Sequence, residues 1–151
     1  MEIQHVSFGS DVVQALVADL EDELLAEYAG VPGSGGLPPP QVFDTSAGAF
    51  LLGTEAGRPV ACGGIARYDD ETAELRRMYV VPSARGRGLS RQLLTAIEDA
   101  ARSLGYSRLR LETGFRQAAA IGLYRSAGFE PIDRYGPFAD DERSLCFEKG
   151  I

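Results

Sequence analysis

The sequence predicts an α+β protein with a mixed, mostly antiparallel sheet, helices on both faces and one parallel crossover at its centre. Three observations carry this. Apolar segments at 49–54, 58–68 and 74–81 follow one another across turns too short for crossovers, so they form an antiparallel meander. The third of them runs through a glycine-rich loop into a long amphipathic helix, so the strand beyond is reached by a crossover and lies parallel to its predecessor. A helical pattern before the meander and a second, shorter one after the crossover supply the layers on the sheet. The 151 residues suit a single domain over 1–151, long enough to bury a core of its own.

Residues 3–8 alternate weakly and read as the first strand. Ser10 is placed to cap a helix reaching to about residue 28, with Asp11 in its first turn. The apolar stripe of that helix is Val12, Val13, Leu16, Val17, Leu20, Leu24 and Leu25. Residues 30–40 contain four glycines and four prolines in eleven positions, and no regular element forms from such a run. It is either a flap on the substrate side or a linker. Residues 55–57 and 69–71 are the turns of the meander. In its third strand the alternation slips. Leu75 and Tyr79 share one face by period two while Met78 and Val80 take the other, with Arg76 and Arg77 between. Either a bulge or a strand buried on both faces accounts for this. The central helix opens at Leu89 or Ser90 and ends before Gly105, a C′ glycine. Its buried face is Leu89, Leu93, Leu94, Ile97, Ala100, Ala101 and Leu104. Residues 107–112 alternate as a strand, 117–127 form a short helix ended by Gly128, and strands at 129–132 and 143–148 flank a loop at 135–141.

Composition narrows the class. A chain 44% hydrophobic and 25% charged is an ordinary globular protein. No run of about 18 apolar residues is present, so no membrane partner is expected. The N-terminus lacks a basic stretch followed by an apolar one, so no signal peptide is expected. Cys62 and Cys146 sit in apolar runs and read as buried thiols of a reducing cytoplasm. His5 is the only histidine, and with no cysteine pairs a transition-metal site is not expected. A pI near 4.7 argues against nucleic acid as a partner. The charge is unevenly spread. Residues 1–57 hold nine acids and no Lys or Arg, whereas residues 58–151 hold all 15 basic residues against 13 acids. This suggests two ligands of opposite charge meeting in one cleft, although solvated acidic helix faces explain it as well.

The loop 83–88 is the most informative stretch. It feeds a helix N-terminus whose first N–H groups lack intrahelical acceptors and whose dipole end is positive. Gly86 and Gly88 let an anion approach the main chain, and Arg85, Arg87 and Arg91 add charge. A phosphate or pyrophosphate ligand follows from this alone.

Four segments together resemble the GCN5-related N-acetyltransferase (GNAT) family over nearly the whole chain. Glu74-Leu75-Arg76-Arg77-Met78-Tyr79-Val80-Val81-Pro82 resembles its fourth strand. Arg85-Gly86-Arg87-Gly88-Leu89-Ser90 resembles its pyrophosphate motif, with Ser90 in place of the usual Gly or Ala. Leu111-Glu112-Thr113-Gly114 sits where the fifth strand parts from the fourth. Residues 117–129 resemble its Asn-x-x-Ala-x-x-Leu-Tyr-x-x-x-Gly-Phe signature, with Gln117 in place of Asn. The resemblance implies the acyl-CoA N-acyltransferase fold, acetyl-CoA as co-substrate, and transfer of its acetyl group to an amine in a ternary complex. Pyrophosphate would lie on the N–H groups of Arg85, Gly86, Arg87, Gly88, Leu89 and Ser90. The pantetheine arm would lie along Met78, Tyr79 and Val80, with Gln117 as a further contact. Tyr124 would protonate the departing thiolate, and Glu74 or Glu112 would take the amine's proton. Glu112 is equally placed to pair with Arg110 or Arg116. The acidic first third would favour a small cationic amine or a peptide lysine. Members of the family are often monomers or dimers, so the resemblance implies a monomer or homodimer. Two other readings remain: a regulatory acyl-CoA-binding module without turnover, and an enzyme acting on aminoacyl-tRNA, against which the acidic composition argues.

Overall fold

The computed structural model describes residues 1–32 and 42–151, so positions 33–40 of the glycine- and proline-rich loop lie outside the described residues. The strands are β1 (Glu2–His5), β2 (Ala49–Glu55), β3 (Arg58–Arg67), β4 (Thr72–Val80), β5 (Arg108–Gly114), β6 (Glu130–Ile132) and β7 (Ser144–Gly150). The helices are α1 (Asp11–Glu27), α2 (Leu89–Ser103) and α3 (Ala118–Ser126). The strands make one sheet in the order β1-β2-β3-β4-β5-β7-β6. Among the described residues only β4 and β5 pair in parallel, as the crossover through α2 requires. No described helix is long and apolar enough to cross a membrane.

Side-chain alternation sorts the core into two layers. Phe50, Leu52, Cys62, Ala66 and Tyr79 face α1, whose Val13, Leu16, Val17 and Leu20 cover them. Leu51, Ala61, Ile65, Leu75, Leu109, Leu111 and Phe147 face the other way, onto Leu93, Leu94 and Ile97 of α2 and Tyr124 of α3. Removing each of the Val, Leu, Ile and Phe side chains among them from water contributes about 1.5–3 kcal/mol.

Several local expectations change. β1 ends at His5 because Phe8 leaves the sheet to join Phe43 and Phe50, and Asp44 Oδ1 receives its N–H at 2.9 Å. Ser10 occupies the N-cap of α1, yet its hydroxyl makes no cap bond and is buried without a partner. Leu25 is 72% exposed, since it lies one residue (about 100°) round the axis from Leu24 and off the buried stripe. Leu104 is 40% exposed. There Gly105, at φ 94°, ends the helix and Tyr106 turns inward instead, its hydroxyl donating to Ala47 O at 2.6 Å.

The slip in β4 is a bulge. Cys62 pairs with Tyr79 and Gly64 with Arg76, so two residues of β4 oppose the single Gly63. Arg77 carries the irregularity at φ 59°. The bulge overturns the expectation that Leu75 and Tyr79 share a face: Leu75 lies in the α2 layer and Tyr79 in the α1 layer.

Glycines differ in what they tolerate. A Cβ on Gly64 would meet Phe43 Cδ1 at 2.8 Å and Ala49 O at 2.9 Å, whereas on Gly122 of α3 it would meet nothing within 4 Å. Gly64→Ala is expected to lose about 1–3 kcal/mol by overpacking. Gly122→Ala is expected to gain about 0.5–1 kcal/mol from helix propensity. Urea unfolding of the two variants checks the opposite signs.

Candidate active site

The site begins where β4 and β5 part. Their register runs from Thr72↔Arg108 to Leu75↔Leu111 and stops. Beyond it β4 stays with β3 as far as Val80↔Ala61, and β5 stays with β7 as far as Gly114↔Ser144, leaving a wedge between them. Val81 N–H donates to Val60 O at 2.9 Å. Antiparallel alternation therefore turns the N–H and C=O of Val80, and of Met78 two residues earlier, into the wedge.

At the end of β4 the chain makes a 3-10 turn (Pro82–Ala84) and enters the loop. Gly86 and Gly88 take left-handed φ of 76° and 78°, and Gly88 is the N-cap of α2. A Cβ on either would touch nothing within 4 Å, so the backbone angle rather than crowding calls for glycine. Gln92 N–H is the first to find an acceptor, Gly88 O at 3.2 Å, which leaves the N–H groups of Leu89, Ser90 and Arg91 pointing out of the helix end.

The arginines around this cradle are less free than the composition suggested. Arg85 places Nη1 and Nη2 on the Glu23 carboxylate at 2.9 and 2.7 Å and Nε on Val80 O at 2.9 Å. Its guanidinium also lies 5.5 Å from the Tyr79 ring. Arg87 pairs with Glu55, and Arg91 donates to Ser126 Oγ. Arg85 holds the Glu23 carboxyl below the usual carboxylate range by direct hydrogen bonding. With Arg77 on Glu21, three of the nine N-terminal acids serve arginines of the same chain. The expected surplus of acid for a cationic acceptor shrinks accordingly.

Two cavities occupy the wedge. The larger, about 510 Å³, runs from Glu23 and the loop glycines past Met78, Tyr79 and Val80 to Gln117 and Tyr124. The smaller, about 150 Å³, is lined by Glu74, Arg76, Arg77, Glu112, Thr113 and Phe138. Both are bounded by Leu20, Leu24, Met78, Gln117, Ala120 and Tyr124.

Tyr124 is 6% exposed, and among the described residues its hydroxyl has one hydrogen-bond partner, Met78 Sδ at 3.6 Å. Burial, reinforced by the Glu112 charge, pushes the phenol well above its ordinary value, so it is a neutral donor at any physiological pH. Tyr79 lines the larger cavity, though most of its ring belongs to the α1 layer. Glu112 pairs with neither arginine considered for it. Arg110 goes to Glu148, and Arg116 Nη1 to Glu27 O at 2.9 Å. Its Oε1 instead accepts from Ser144 Oγ at 3.0 Å. Burial raises the Glu112 carboxyl above the usual range, with Asp141 and Glu74 adding to the shift against Ser144 and Arg76. Glu74 is buried and ion-paired with Arg76. Gln117 Oε1 accepts from Gly114 N–H at 2.7 Å, so only its amide nitrogen is left to face a ligand. Both cysteines are pushed upward by burial, Cys62 to about 12 and Cys146 to about 11, which makes them poor nucleophiles.

Two residues that the sequence placed only as a helix end and as part of the loop 135–141 shape the site. Tyr28, just past α1, receives Arg116 N–H at 3.0 Å. A Cβ on Gly114 would overlap its ring and hydroxyl and come within 2.8 Å of Gln117 Oε1. Tyr135, buried with its hydroxyl unpartnered, lies near Glu74. Neither contact leaves a periodic trace, because each joins segments far apart in the chain.

A family model described as the Acetyltransferase (GNAT) family matches residues 11–129. The chain belongs to that family. Its members are acetyl-CoA-dependent acyltransferases. The chain is 47% identical over 104 residues to the IAA acetyltransferase of Azospirillum brasilense, a match covering 68% of this chain and 67% of that one. It is 36% identical over 96 residues to the uncharacterized N-acetyltransferase YjgM of Escherichia coli, covering 62% and 58%. It is 33% identical over 119 residues to N-acetyltransferase 8 of Mus musculus, covering 79% and 48%. The matched stretch thus spans about half to two thirds of these curated relatives. Among solved structures, an acyl-CoA N-acyltransferase from Klebsiella pneumoniae superposes with a TM-score of 0.82 at 31% identity, covering 99% of this chain and 96% of that one. A GNAT acetyltransferase from Elizabethkingia anophelis, solved with acetyl-CoA bound, shares the fold with a TM-score of 0.71 at 19% identity, covering 99% and 97%.

The Glu23–Arg85 pair competes with any phosphate for the Arg85 fork. Exposed pairs of this kind are worth about 0.2–1 kcal/mol. Glu23→Gln is therefore expected to tighten acetyl-CoA binding by up to about five-fold, an effect that calorimetry at low salt resolves and that added salt diminishes.

Proposed function

We propose that the chain transfers the acetyl group of acetyl-CoA to an amine by direct attack within a ternary complex. The observation that carries this reading is the wall the two cavities share, which includes Met78 and Tyr124, whose hydroxyl donates to Met78 Sδ. One cavity has a phosphate cradle at its far end; the other has carboxylates. A group passed between their occupants passes that hydroxyl.

The residues present fit acetyl-CoA. The outward N–H groups at the start of α2 suit its pyrophosphate, and the wedge-facing groups of Met78 and Val80 suit an extended arm laid on as an added strand. Val80 N–H is the donor placed to polarise the thioester carbonyl. As the amine nitrogen bonds to that carbon and the carbon–sulfur bond breaks, Tyr124 gives its proton to the departing thiolate. A primary amine with a pKa near 10.4 must first lose a proton, at a cost of roughly 4–5 kcal/mol at neutral pH. Glu112, directly or through a water, is the base of choice. Its raised carboxyl favours proton uptake, whereas Glu74 is already tied to Arg76. Holding the two reactants in line accounts for several kcal/mol more of the barrier. The acceptor is an amine small enough for the second cavity or a residue at a peptide end, such as lysine. Two buried free cysteines suit a reducing compartment such as the cytoplasm.

Thiol release from acetyl-CoA over a panel of amines tests the reading, with Tyr124→Phe as the comparison. The variant is expected to lose about 10²–10⁴-fold in kcat and to bind acetyl-CoA unchanged. Tight binding without acceptor-dependent release in the parent protein would instead make it a regulatory acyl-CoA-binding module.

The raised Glu112 carboxyl makes two linked predictions. The acid limb of kcat/KM should lie above the ordinary carboxylate range and vanish in Glu112→Gln. The folded chain also holds this proton more tightly than the unfolded chain, so the group's contribution to stability is present at low pH and lost as pH rises through the folded value. Glu112→Gln should therefore raise Tm at pH 8 and leave it nearly unchanged at pH 4, read by thermal unfolding.

A further inference from the structure

One charged group in the smaller cavity has no part in the chemistry above. Arg77 lines that cavity with a side chain only 9% exposed. Its Nη1 donates to Glu21 Oε1 at 3.0 Å, and Glu21 is itself 41% exposed. Nε is buried with no partner. Among the described residues no other side-chain hydrogen bond is made by this guanidinium, so one of its five donor hydrogens is in use. The bulge that brings Arg77 here holds it at φ 59°, a conformation that arginine does not choose by itself.

The neighbouring charges are all engaged. Arg76 is bound by Glu74 and lies 5.5 Å from the Phe138 ring. Glu112 is bound by Ser144, and Asp141 by Arg143. Arg76 and Arg77 each make one side-chain ion pair, but only Arg77, among the described residues, also keeps a buried guanidinium nitrogen without a partner, and Glu112 lines the same cavity.

We propose that Arg77 binds a carboxylate on the acceptor, which makes the acceptor a small amino acid carrying both the reacting amine and that carboxylate. This rests on the transferase reading and deepens it. A guanidinium takes a carboxylate through two parallel N–H···O bonds, which fixes orientation as well as position. The amine of the same molecule is then directed toward Glu112 and Tyr124. A cavity of about 150 Å³ has room for such a molecule.

Matched acceptor pairs test the assignment: alanine against ethylamine, phenylalanine against phenethylamine, lysine against cadaverine, each followed by thiol release from acetyl-CoA with the full chain. At least one amino acid is expected to exceed its decarboxylated partner by about 100-fold or more in kcat/KM, because a site built to bind a polar group rejects an analogue lacking it. Arg77→Asn, chosen because asparagine accepts the left-handed backbone, is expected to erase that preference through KM with kcat nearly held. Arg77→Lys, which keeps the charge but lacks the fork, is expected to restore part of it. Glu21→Gln separates binding from bracing: it breaks the ion pair but leaves Arg77, and the preference is expected to survive. Equal or faster turnover of the simple amines would overturn the carboxylate assignment while the transferase reading stands. Loss of the preference in Glu21→Gln as fully as in Arg77→Asn would show Arg77 to be a brace for α1 and overturn it too. No release from any acceptor, with acetyl-CoA still bound, would overturn both readings.

Discussion

Strands β4 and β5 exchange hydrogen bonds along four register pairs and then separate, and the rest of the site depends on that separation. Buried backbone groups need partners, so a sheet does not open at its centre without something to hold it open. Here each strand is secured on its outer side, β4 by β3 and β5 by β7, while the inner side is released. Within the wedge Val80 O is met by Arg85 Nε, a side chain standing in for a strand. A protein with no use for the wedge would close the ladder and gain its hydrogen bonds.

The ion pairs belong to the same constraint. Glu21 and Glu23 of α1 reach Arg77 and Arg85, and Arg116 reaches the carbonyl of Glu27. Tyr28 extends this line of contacts to the far side of the wedge, where it meets the backbone of Arg116 beside a glycine that leaves it room. Exposed pairs contribute little to stability one at a time. Their placement matters more, because together they set the position of α1 over both cavities.

Much of this was legible in the chain. Period-two alternation and short turns located the meander, and the strand–loop–helix pattern located the glycine turn into α2 and the parallel crossover. The slip at Arg76 and Arg77 was visible as a slip, but alternation could not say whether a bulge or two-sided burial produced it. The pairing of charges was not legible. Nothing in the spacing tells Arg110 to choose Glu148, Arg85 to choose Glu23 or Glu112 to choose Ser144, since each choice joins elements brought together only by the sheet order. Helix ends misled for a related reason. Leu25 and Leu104 continue a local apolar pattern past the point where the helix still touches the sheet.

The extra residue at Arg77 also sets how the two halves of β4 are phased. Five residues of β4, from Leu75 to Tyr79, span the four of β3 from Cys62 to Ile65. Leu75 and Tyr79 therefore sit in opposite layers although they are four positions apart. Deleting Arg77 would leave them three apart, still on opposite faces by simple alternation, with both layers kept and only the bulge lost. Straightening the bulge without a deletion would slip half of the strand by one residue and exchange its two faces. The bulge is thus the phase step that lets one strand serve α2 at one end and α1 at the other.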